Sequence, residues 1–99
     1  MKNIFLSELN QWLAEGKKIQ LIDVREAGEH EAFNIGGTLI PLSKISRWQP
    51  LESDLSPVVV YCKRGIRSQI AIQRLAPKFP NVDFYNLENG ILEIGRAHV

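Results

Sequence analysis

With 99 residues, 44% of them apolar and 23% charged, the chain carries enough sequence for one hydrophobic core and reads as a single globular domain over residues 1–99. A net charge of +1 offers no basic field for nucleic acid, and no apolar run approaches the roughly 18 residues that a bilayer crossing needs. One cysteine excludes an internal disulfide, and with only two histidines beside it no zinc spacing exists, so neither a metal nor a cofactor is expected.

The opening Met1-Lys2-Asn3 leads directly into an amphipathic segment with no signal-peptide pattern, from which a cytoplasmic location is expected. Ser7 suits the cap of a helix over residues 8–15, with Leu9, Trp12 and Leu13 at helical spacing, Gly16 as its stop and Trp12 in the core. Residues 19–24 form a short apolar run that fits a buried strand, with Asp23 and Arg25 at its C-terminal end. A short polar helix follows over residues 27–32. The glycines of Ile35-Gly36-Gly37-Thr38 then suggest close chain approach before a brief edge strand that Pro41 ends. Ser43 suits the cap of another short helix running through Trp48, and residues 50–56 read as a surface connection. Trp48 is expected to pack rather than to hold substrate.

Pro57-Val58-Val59-Val60-Tyr61 is β-branched and continuous, the pattern of a central strand covered on both faces. A helix over residues 68–76 places Ile72, Leu75 and Ala76 on one side and ends before Pro77. A strand over residues 82–87 and a short helix over residues 91–96 complete the chain. Strands alternating with helices imply an α/β sandwich with a mostly parallel sheet.

Between the central strand and its helix lies Cys62-Lys63-Arg64-Gly65-Ile66-Arg67. Ligands of open α/β sheets bind at that end of the strands, and a helix N-terminus there presents unpaired N–H groups to an anion. Lys63, Arg64 and Arg67 surround Cys62 with no carboxylate in the loop, so its thiol is expected to ionise below the free-cysteine value of about 8.5 and to act as a nucleophile. Gly65 lets successive N–H groups turn inward as an anion nest. The bland alternative, a cysteine packed as a small hydrophobe, does not require such a cationic loop.

This segment resembles the rhodanese active-site loop, and the resemblance extends along the chain. Leu21-Ile22-Asp23-Val24-Arg25-Glu26 is similar to the family's first signature, Gly28-Glu29-His30-Glu31 to the helix after it, and Asn34-Ile35-Gly36-Gly37-Thr38-Leu39-Ile40-Pro41-Leu42 to its His-Ile-Pro-Gly-Ala stretch. The nearest motifs are those of rhodanese domains associated with the adenylating enzymes of molybdopterin and thiazole biosynthesis. Asn89-Gly90-Ile91 departs from the usual Gly-Gly-Trp, a departure expected to affect stability more than chemistry.

The resemblance implies a three-layer sandwich with about five strands and helices on both faces. It further implies sulfur transfer through a Cys62 persulfide, from thiosulfate or a donor protein to a thiophilic acceptor such as a sulfur-carrier protein; the charge and the short apolar runs already speak against nucleic-acid and membrane partners. Lys63, Arg64, Gly65, Ile66 and Arg67 would bind the donor, and Asp23 and Arg25 would support the loops. His30 and His98 are assigned no chemistry. A phosphatase or arsenate reductase is the rival enzyme, disfavoured because Cys62 and Arg67 are separated by four residues rather than five. A partner-dependent relay or binding module is the rival outside independent catalysis.

Overall fold

The computed structural model describes residues 1–50 and 56–92. Its strands are β1 (Lys2–Ile4), β2 (Gln20–Asp23), β3 (Thr38–Leu39), β4 (Val58–Tyr61) and β5 (Phe84–Leu87). Its helices are α1 (Leu6–Ala14), α2 (Ala27–Ala32) and α3 (Ile66–Leu75), with a 3₁₀ segment over Leu42–Arg47. The five strands form one sheet in the order β1-β5-β4-β2-β3, and every neighbouring pair is parallel. The expected α/β sandwich is therefore the observed one.

β4 forms the centre because all four of its side chains can be buried. Val58 and Val60 join Ile22, Val24, Ala71, Ile72, Leu75 and Phe84 on the face covered by α3 and the 3₁₀ segment. Val59 and Tyr61 point the other way, into a core with Ile4, Leu9 and Leu87 under α1. Each fully buried Val, Leu, Ile or Phe among them contributes roughly 1.5–3 kcal/mol of hydrophobic stabilisation. Strand alternation then places Cys62, the next residue, on the α3 face. Trp48 packs edge-on against Phe79 and Phe84, with ring centroids 5.3 and 5.7 Å away.

The structure departs from the sequence reading at several elements, for physical reasons. β1 was not expected; its partner is β5, with Lys2 opposite Tyr85 and Ile4 opposite Leu87. α1 begins at Leu6 rather than after Ser7, because the Glu8 carboxylate accepts from the Phe5 N–H at 3.4 Å and closes the helix start. α3 begins two residues earlier than expected, since Gly65 turns the chain at φ 89° and lets the helix start at Ile66. The segment assigned to a helix from Ser43 is a 3₁₀ run from Leu42, opened by the Lys44 N–H donating to the Pro41 carbonyl at 2.7 Å. Trp12 is only half-buried, edge-on to Tyr85 with the Lys17 ammonium 3.9 Å above its ring.

The connection expected within residues 51–55, the C-terminal helix beyond Leu92, and His98 lie outside the described residues. No helix among the described residues is long and apolar enough to cross a membrane.

Candidate active site

The chain leaves β4 at Tyr61, turns through Cys62 to Gly65, and enters α3 at Ile66. This short turn aims N–H groups at the sulfur. Cys62 Sγ accepts from the Gly65 N–H at 3.1 Å and the Ser68 N–H at 3.5 Å, and lies 3.4 Å from Ser68 Oγ. Burial pushes the Cys62 thiol up, but the Ser68 hydroxyl and the backbone N–H groups of Ser68, Arg64 and Gly65 outweigh it and hold the pKa below its ordinary value. The expected direction is thus found, with hydrogen-bond donors rather than the loop's cations as the main cause.

Ser68 is buried and its hydroxyl donates to Asn86 Oδ1 on β5. Asn86, also buried, donates through Nδ2 to Asn3 Oδ1 on β1 at 3.2 Å. A polar chain therefore runs from the thiol across two strands. Sequence spacing does not single out Ser68, Asn86 or Asn3. A usable signal was present in Asn86, an amide within the apolar strand Phe84–Leu87, which needs a buried hydrogen-bond partner.

Cys62 lies at the base of a cavity of about 250 Å³ whose other walls are Lys63, Arg64, Ile66 and Arg67. Lys63 and Arg64 are exposed, and Ile66 presents 65% of its surface to solvent. Arg67 reaches the mouth, as its spacing from Cys62 suggested, yet its guanidinium is already engaged. It donates through Nη1 to Glu29 Oε1 at 2.7 Å and through Nη2 to Glu29 Oε2 at 2.9 Å. The Arg67 fork, opposed by partial burial, holds the Glu29 carboxyl at about 2, far below its ordinary range. Glu29 in turn holds Arg67 above the usual guanidinium value.

Asp23 and Arg25 are fully or almost fully buried and form a second polar centre. Asp23 Oδ1 accepts from Arg25 N and Nε at 3.0 Å each, and Oδ2 accepts from Arg25 Nη2 at 2.9 Å. Arg25 Nη2 also donates to the Phe33 carbonyl at 2.6 Å, tying the end of α2 to β2. His30, expected as a plain surface residue, instead places Nδ1 2.8 Å from Asp23 Oδ2. Burial pushes the Asp23 carboxyl up, but the hydrogen bonds from Arg25 and His30 bring it below its ordinary value. The helical period carries His30 inward, toward an aspartate seven residues earlier that no local pattern links to it.

The Asn89-Gly90-Ile91 turn, which the resemblance set apart as a departure, touches the Cys62 loop directly. Ile91 N–H donates to the Cys62 carbonyl at 3.1 Å and Leu92 N–H to the Lys63 carbonyl at 3.0 Å. A Cβ on Gly90 would stand 2.5 Å from the Lys63 carbonyl oxygen and closer still to that of Cys62.

A separate cleft of about 370 Å³ opens beside β2, lined among the described residues largely by apolar side chains such as Leu13, Ile19, Ile40 and Trp48. No cluster of metal-ligating side chains is found among the described residues.

The rhodanese-like domain family matches residues 5–97. The chain is 38% identical over 88 residues to the probable adenylyltransferase/sulfurtransferase MoeZ of Mycobacterium tuberculosis, covering 86% of this chain and 22% of that protein. It thus spans about a fifth of the length of this first relative. It is 32% identical over 96 residues to the thiosulfate sulfurtransferase GlpE of Coxiella burnetii, covering 94% of this chain and 87% of that one. A crystal structure of a rhodanese-like domain protein from Staphylococcus aureus superposes with a TM-score of 0.76 at 31% identity, covering 92% of this chain and 88% of that chain. A parallel sheet with a cysteine turn between its central strand and the next helix, matched over nearly its whole length by that family, makes this chain a rhodanese-like domain.

Proposed function

We propose that the protein is a sulfurtransferase in which Cys62 carries sulfane sulfur as a persulfide. The carrying observation is the sulfur's setting: Sγ faces the N–H groups of Gly65 and Ser68 and the Ser68 hydroxyl, at the base of a cavity rimmed by cations. Such donors favour the thiolate and serve equally for the terminal anion of a persulfide. The thiolate attacks the sulfane sulfur of thiosulfate; a new S–S bond forms, the old one breaks, and sulfite leaves with the electron pair. A nucleophilic acceptor then takes the outer sulfur, and the Cys62 thiolate is restored. No other thiol exists in the chain to intercept the persulfide as an internal disulfide. Lys63, Arg64 and Ile66 form the rim that meets the donor, Gly65 shapes the turn, and Asp23 with Arg25 fixes the neighbouring helix.

The match to one part of the longer MoeZ favours a second reading, in which the domain relays sulfur from a donor protein to a carrier protein instead of acting on free thiosulfate. Phosphoryl transfer is disfavoured by the four-residue spacing and by the engagement of Arg67 with Glu29. Mass spectrometry after treatment with thiosulfate should find one added sulfur on Cys62 and none in Cys62→Ser. Cys62-dependent hydrolysis of an aryl phosphate, without persulfide formation, would overturn the assignment.

A further inference from the structure

We infer that Glu29 determines donor specificity: it withholds the Arg67 cation from small dianionic donors and tunes the mouth toward persulfide donors of lower charge. This rests on Cys62 being the sulfur carrier. Arg67 lines the Cys62 cavity from the first turn of α3. Both of its terminal nitrogens are committed to Glu29, at 2.7 and 2.9 Å. Glu29 is itself fixed, since Oε1 also accepts from the Glu26 N–H at 3.1 Å at the start of α2. Its carboxyl ionises at about 2, so at neutral pH it is a permanent negative charge. Arg67 and Glu29 together present no net charge to an incoming donor.

A thiosulfate dianion seeking Arg67 must therefore detach Glu29 or approach its carboxylate, and both oppose binding. Lys63 and Arg64 still attract anions, but from exposed rim positions where salt screens them. A persulfide, R–S–SH, avoids this conflict. The Cys62 thiolate attacks its outer sulfur, the S–S bond breaks, and R–S⁻ leaves with the electron pair while the proton stays on the transferred sulfur. The exposed Ile66 beside the cavity adds an apolar contact that a small inorganic donor cannot use.

The test compares alkylation of Cys62 by iodoacetate and by iodoacetamide in the full chain at neutral pH. Both reagents need the same thiolate, so their rate ratio reads the charge at the mouth independently of the thiol pKa. Glu29→Gln should raise the iodoacetate preference about three- to tenfold, with the gain fading in high salt. Arg67→Gln should lower it and abolish the gain in the double variant. The exchanged pair Glu29→Arg with Arg67→Glu keeps the ion pair but reverses it, and should fall below wild type; this arm serves if Glu29→Gln does not fold. In parallel, Glu29→Gln should speed persulfide formation on Cys62 from thiosulfate more than from cysteine persulfide. If sulfur loads but neither the ratio nor the donor preference moves in a folded Glu29→Gln, the role of Glu29 is overturned alone. If neither donor loads Cys62 in any variant, sulfur carriage is overturned, and donor selection with it.

Discussion

Ser68 has one hydroxyl proton and two neighbours for it, the Cys62 sulfur and the Asn86 carbonyl oxygen. While Cys62 is a thiol, its S–H is the donor to Ser68 Oγ and the hydroxyl proton rests with Asn86. Once the thiol ionises, the same hydroxyl supplies a donor to the sulfur. Ser68→Ala removes that donor and leaves Asn86 Oδ1 buried without its partner. Hydrogen bonds to charged groups are worth about 1.5–3 kcal/mol, so iodoacetamide alkylation at neutral pH should slow about tenfold, its pH profile moving upward. The unpaired amide should also lower stability by about 1–3 kcal/mol, measured by chemical denaturation. Cys62 itself was legible in the sequence because its chemistry depends on adjacent residues: a strand end, a glycine and a helix start. The Ser68–Asn86–Asn3 chain was not legible, since its members lie on three elements that meet only in the fold.

At the scale of elements, the reactive loop is held from two sides, by α3 in front and by the turn at Asn89 to Leu92 behind. The rear contact leaves no space for a side chain at position 90, where φ is also +60°. Gly90→Ala must push the Cys62–Lys63 peptide away and disturb the donors around Sγ. Displacements of about 1 Å at a reacting centre can cost about 100-fold, so persulfide formation should fall at least about tenfold, as read by mass spectrometry over time. An unchanged rate would show that the turn yields without moving the sulfur. β4 was legible because four β-branched or aromatic residues in succession fit little else, and α2 was found with its observed bounds. β1 was not: three residues, two of them polar, carry no usable period, and their partner strand lies some eighty positions later.

For the whole molecule, stability and reactivity are separable because the core beneath β4 is extensive while the sulfur's donors come from one corner of it. Val60 is completely buried at the centre of the sheet. Val60→Ala should lower stability by about 2 kcal/mol, or about 10 °C in Tm by calorimetry, and leave the pH profile of Cys62 alkylation in the folded protein unchanged. A shifted profile would mean that core strain reaches the loop. The parallel strand order has a further consequence, for the time at which the thiol becomes special. β1 cannot pair until β5 exists, the Ser68 hydroxyl has no Asn86 before then, and the Cys62 and Lys63 carbonyls wait for Ile91 and Leu92. Pairing over such separations is slow to nucleate. A growing chain can therefore form the local donors to Cys62 as soon as α3 has been synthesised, but the Asn86 partner of Ser68 and the rear support of the loop arrive with the last described strand and turn, so the setting of the thiol is completed late in synthesis.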